Sequence, residues 1–212
     1  MKFILRIIYI LIGLLALSLG TSILNAGHLG VDPFTAMNMG LSSKIGMSLG
    51  TFQIIINVII LIYIFIYNRK SIGIGTILNM TLVGYFIDWF GPILKPYSHM
   101  FTKNFFSIVL TLIVGVLLFT FGAALYMSTD EGQAPYDAIA PTLCKQLHKP
   151  YVQVRTIQDI TCMLIGWISG GPIGIATIIC AFGCGPLISG WTKLISPFVE
   201  KTTGAKSATS SN

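Results

Sequence analysis

Six apolar runs, at about 4–24, 50–67, 72–90, 104–127, 152–169 and 172–197, are long enough to cross a bilayer as helices. Backbone groups in lipid are satisfied only within helices or closed barrels, and these lengths fit helices. The stretches at 68–71 and 169–172 are short, so each joins antiparallel neighbours. The polar tail from Glu200, EKTTGAKSATSSN, reads as a disordered end.

The polar breaks repeat. LGVDPFTAM at 29–37 and EGQAPYDAI at 131–139 follow the first and fourth runs, and each reads Gly, two residues, Pro, an aromatic, one residue, Ala. A shift of 102 residues carries Gly13, Gly20, Gly30, Pro33 and Phe34 onto Gly115, Gly122, Gly132, Pro135 and Tyr136. A shift of 101 lays IGIGTI (72–77) over IGIATI (173–178), and Gly84 over Gly185. This pattern predicts a tandem duplication of a three-helix unit, 1–98 and 99–199, followed by a tail at 200–212. An odd number of spans per unit inverts the second copy relative to the first, a plan shared by many secondary transporters.

The repeated turns predict short helices. Asp32 is a strong N-cap and Pro33 suits the first helical position. In the second copy Ala134 takes the cap position and Asp137 enters the first turn, where a carboxylate suits the positive helix end. Each short helix reads either as amphipathic on the membrane surface or as a half-helix dipping inward. Gly30, Asp32, Pro33, Gly132, Pro135 and Asp137 are therefore assigned to the repeat turns.

Composition agrees. The chain has 212 residues, 54% hydrophobic and 9% charged, against roughly a quarter charged in soluble domains. An all-α membrane protein of six spans follows, with the lipid bilayer as its first partner. With the N-terminus in the cytoplasm, ten of the thirteen Lys and Arg residues lie inside and three outside. Both termini are then cytoplasmic. The net charge of +6 concerns topology, and no basic cluster points to nucleic acid.

Polar residues inside apolar runs are the candidates for a solute site. Gln53 and Asn57 stand one turn apart, and the 102-residue shift carries them onto Arg155 and Asp159. Gln158 adjoins the second pair, and Asn79 sits within the third run. These six form the expected substrate-binding set, with the helices at 50–67 and 152–169 facing one another. The bland alternative has Arg155 snorkelling to the surface while pairing with Asp159 along its helix. Asp88 reads as a solvated helix-end carboxylate and His28 as a loop residue. Cys180 and Cys184 share a helix face without a His or carboxylate at ligand spacing, so no metal is expected. No GxSxG, HExxH or P-loop pattern is present, so no enzyme, catalytic residue or cofactor is expected.

LGVDPF with GLSSKIGMSLG (40–50), IGIGT with LVG and ID, and APYDA with GPIGIAT and GCGPLI together resemble the YczE/YyaS/YitT group of bacterial integral membrane proteins, its YczE-like branch above all. The resemblance spans about residues 4–197 and implies a bacterial inner-membrane protein, without an agreed substrate. Three functions follow as alternatives: a small-solute transporter or permease, a membrane-embedded binding subunit of a multi-component transporter, and a regulatory or assembly protein. The last expects a tightly packed interior and a partner on the loop at 128–151; a second copy of the chain or another protein is the partner considered. The inverted plan favours the first by analogy.

Overall fold

The computed structural model describes residues 2–204. The described chain is helical: α1 (Lys2–Ala26), α2 (Pro33–Lys44), α3 (Leu49–Tyr67), α4 (Ile74–Leu94), α5 (Ser98–Phe101), α6 (Phe105–Met127), α7 (Pro135–Leu147), α8 (Tyr151–Ser169) and α9 (Ile175–Thr203). Among these residues, five segments are long and apolar enough to cross a membrane: Lys2–Ala26, Leu49–Tyr67, Ile74–Phe101, Phe105–Met127 and Ile175–Thr203. The protein is an all-α, multi-pass membrane protein.

The sixth expected run, α8, falls short of that apolarity for a local reason. It turns Ile157, Leu164, Trp167 and Ile168 outward and buries Asp159 on its other side. Arg155, Gln158 and Asp159 belong to an inner face, and they lower its mean hydropathy.

Helices α1 and α6 cross at the centre, flanked by α4 and α9. Small residues permit that approach. A Cβ on Gly13 would lie 2.8 Å from the carbonyl of Gly122, and one on Gly20 would lie 2.7 Å from that of Gly115. Around the crossing, Ile10, Leu14, Leu17, Val83 and Tyr126 form one buried cluster.

The two repeated turns dock reciprocally. Val31 N–H donates to Pro172 O at 3.2 Å, and Ala176 N–H to Leu29 O at 2.9 Å. In the other half, Gln133 N–H donates to Ser71 O at 3.0 Å, and Gly75 N–H to Glu131 O at 2.6 Å. Gly30 and Gly132 have φ of +83° and +98°, in the left-handed region that favours glycine. A Cβ on either would collide with the backbone of Gly174 or Gly73, respectively. Each turn thus seats on the entry to the last long helix of the other half. There Thr177 and Thr76 accept from the N–H groups of Gly174 and Gly73, both at 3.1 Å.

The short helices are not surface helices. Most of α2 is buried, including Phe34, Thr35, Ala36, Asn38 and Gly40, and it packs along α8; α7 packs against α3 and α8. Asp32 caps α2 by accepting from Thr35 N–H at 3.0 Å, whereas Ala134 supplies no side-chain cap to α7.

The expected tail needs correction at its start. Helix α9 runs on to Thr203 because Val199 and Thr203 are buried and Tyr9 bonds Thr202 at 3.2 Å; Gly204 then ends it in a left-handed conformation. The remainder of the expected disordered segment, 205–212, lies outside the described residues.

Candidate functional site

The first turns of α2 and α7 meet. Phe34 and Tyr136 stack with ring centroids 4.4 Å apart and planes at 21°. Beside this stack lies a cavity of about 90 Å³, lined by Asp32, Gln53, Asn57 and Asn79 from the first half and by Tyr126, Asp137, Arg155 and Asp159 from the second. Cys180 and Cys184 also line it.

The second-half wall is an ion network. Arg155 Nη1 donates to Asp137 Oδ1 at 2.9 Å, and its Nε to Asp159 Oδ2 at 3.1 Å. Tyr136 Oη donates to Asp159 Oδ1 at 2.5 Å, and the guanidinium lies 4.8 Å from the Tyr136 ring centroid. Tyr126 Oη accepts from Ala134 N–H and donates to Asp137 Oδ2, both at 3.3 Å. Arg155 is paired on three sides, its bond to Asp159 running along the helix. Its charge is offset where it stands, which is how an ion is retained among apolar helices.

The first-half wall is unpaired. Neither polar atom of the Asn57 amide makes a hydrogen bond to the protein, nor does Gln53 Oε1, nor Asp32 Oδ2. Asn57 and Gln53 are 1% and 4% exposed. A buried polar group without a partner costs about 1–3 kcal/mol, so these groups are placed at a cost to stability.

Five of the six expected solute-site residues line this cavity: Gln53, Asn57, Asn79, Arg155 and Asp159. Gln158 does not. Its Nε2 donates to Tyr136 O at 2.9 Å, which holds the first turn of α7 in place. Of the turn residues, Asp32, Pro33 and Asp137 reach the cavity. Helices α3 and α8 both line the cavity, and α2 and α7 each pack against both of them. Tyr136 and Tyr126 were missed as site residues. The correspondence of Tyr136 with Phe34 was the signal for one; Tyr126, at the end of an apolar run, gave none.

A wider opening of about 530 Å³ adjoins the cavity and shares Asp137, Arg155, Asp159, Cys180 and Cys184 with it. Val152, Gly185, Pro186 and Ser189, from α8 and α9, line its wall, and Gln133 and Tyr151 place it at the end of the bundle near Arg6 and Glu131. The matching place in the first half is shut. A Cβ on Gly84 would lie 2.7 Å from Gly50 Cα, Gly50 N–H donates to Asp88 Oδ2 at 2.7 Å, and Thr51 and Tyr85 hydroxyls meet at 3.2 Å. Asp88 is half-buried, and its Oδ2 holds the start of α3 against α4. By the repeat, Gly50, Gly84, Tyr85 and Asp88 correspond to Val152, Gly185, Pro186 and Ser189. Val152 is 72% exposed, and a Cβ on Gly185 would meet nothing within 4 Å.

The family model described as "Family of unknown function (DUF6198)" matches residues 4–193. The chain is 30% identical over 188 residues to the uncharacterized membrane protein YczE of Bacillus subtilis (strain 168), covering 88% of this chain and 85% of that one. It is 29% identical over 196 residues to the uncharacterized protein YyaS of the same strain, covering 92% and 94%. An uncharacterized protein of Haemophilus influenzae is 25% identical over 187 residues, covering 88% and 83%. No solved structure matches the chain.

Proposed function

The chain belongs to the DUF6198 family of unknown function, the YczE-like group its motifs resemble, and we propose that it carries a small polar solute across a bacterial inner membrane. In this reading α8 is a sixth span, its two charges offset by Asp137 and Tyr136. The halves are inverted repeats of three spans and one half-helix each. Both termini lie in the cytoplasm, and the wide opening faces the same side.

The asymmetry between equivalent contacts carries the reading. The α3–α4 contact is closed at Gly50 and Gly84, while the α8–α9 contact is open at Val152 and Gly185. Related halves that hold two different arrangements supply both states of an alternating-access cycle. Closing α8 on α9 while α3 leaves α4 would turn the cavity from one side to the other. Asp88 is the latch in the half now closed, and Ser189 stands at its counterpart.

The test is Val152→Cys with Gly185→Cys in a chain whose four native cysteines are alanine. If α8 closes on α9, the pair comes within disulfide reach. Proteoliposomes of the reduced protein then take up a solute from a panel of small amines, amides and carboxylates. Oxidation stops that uptake and reduction restores it. A disulfide that never forms, with uptake no faster than in empty liposomes across the panel, overturns the proposal.

A further inference from the structure

The charge of the cavity is lopsided. Three carboxylates, Asp32, Asp137 and Asp159, line it against one guanidinium, Arg155. Arg155 is spent on Asp137 and Asp159. Asp32 has no cationic partner among the described residues; Oδ1 accepts from Thr35 N–H, and Oδ2 is buried without a hydrogen-bond partner. The positive end of α2 offsets part of that charge, about half an elementary unit. The Asp32 carboxyl lines the solute space.

The free hydrogen-bonding atoms point the same way. Asp32 Oδ2 and Gln53 Oε1 accept only, and the Asn57 amide offers one acceptor and one donor group. An anion entering here would meet acceptors and find Arg155 occupied. Of the two helix starts that line the cavity, that of α7 has no side-chain cap, and it already has Asp137 in its first turn.

We propose that the cavity binds a small organic cation bearing N–H donors, an ammonium or alkylammonium group, between Asp32, Gln53 and Asn57. The proposal rests on the solute-carrier reading and names the class of its solute. Size agrees: a cavity of about 150 Å³ accepts benzene, and this one, about 90 Å³, admits a group of a few heavy atoms. Any longer tail would extend past Arg155 into the wider opening. A quaternary ammonium, lacking N–H groups, would leave the three acceptors unpaired and bind less well.

The test follows the unfolding midpoint of the purified full chain in detergent against methylammonium chloride, acetamide and sodium acetate, with ionic strength held by sodium chloride. Acetamide and acetate match in size and differ in charge, and methylammonium is smaller and cationic. Methylammonium should raise the midpoint saturably, by about 5 °C or more at one hundredfold excess over Kd; acetamide and acetate should not. Asp32→Asn keeps the helix cap, since Asn caps as well as Asp, and should abolish the response while α2 stays folded. Asn57→Ala, which touches no cap, should weaken it at least tenfold. A response to acetate alone, an equal response to all three, no response to any, or an Asp32→Asn chain that responds like the wild type each overturns the cation assignment. None of these touches the disulfide result, so the carrier reading stands or falls separately.

Discussion

Phe34 stacks on Tyr136, 4.4 Å between centroids, and each is the second residue of its short helix. The pair joins the two repeated turns and closes one side of the cavity. Phe34→Ala should destabilise the protein by about 3–5 kcal/mol, as large aromatic truncations in cores do. Tyr136→Phe keeps the stack but removes the donor to Asp159, and should cost about 1–3 kcal/mol. Chemical unfolding in mixed micelles separates the two.

Arg155 serves two carboxylates at once. Arg155→Met leaves both without their cation and should cost about 3–5 kcal/mol. Adding Asp137→Asn and Asp159→Asn should recover most of that loss, because no unpaired charge remains. The same unfolding assay reads the recovery. Equal losses in the single and triple variants would mean that packing, not charge, governs this wall.

The α1–α6 crossing tolerates no side chain at Gly122, where an added Cβ would meet the backbone of Gly13 and Leu17. Gly122→Leu should destabilise by about 1–3 kcal/mol or more through overpacking. Gly190 lies within α9 with nothing within 4 Å of an added Cβ. Gly190→Ala should stabilise by about 0.5–1 kcal/mol. Thermal midpoints moving in opposite directions would check both.

Asp88 holds the start of α3 through Gly50 N–H. Asp88→Ala should cost about 1 kcal/mol, the value of a lost helix cap. Its larger effect should be on exposure: a thiol at Gln53→Cys, buried in the closed half, should react with maleimide several-fold faster in the Asp88→Ala background.

Much of this arrangement was legible in the residues. The 102-residue shift pairs Gly13 with Gly115 and Gly20 with Gly122, and the crossing uses all four. Asp32 was readable as a cap because its chemistry is local. The polar pairs Gln53–Asn57 and Arg155–Asp159 were readable because polar groups among apolar ones stand out. The role of Asp88 was not, because its partner is a backbone N–H, which no side chain advertises. Nor was the inward seating of α2 and α7: a hydropathy pattern fixes which residues avoid water, not whether a short helix is covered by lipid or by α8. The asymmetry between Gly84 and Gly185 is invisible by nature, since a repeat describes what the halves share.

That asymmetry is also where the carrier reading is most exposed. Double electron–electron resonance in lipid nanodiscs, with spin labels at Thr51 and Tyr85 in one chain and at Gln153 and Pro186 in another, measures both helix pairs. The carrier reading predicts two distances for each pair, short and long, with the short α3–α4 population falling as the short α8–α9 population rises when methylammonium is added. One unchanging short distance for α3–α4 and one unchanging long distance for α8–α9 would contradict it.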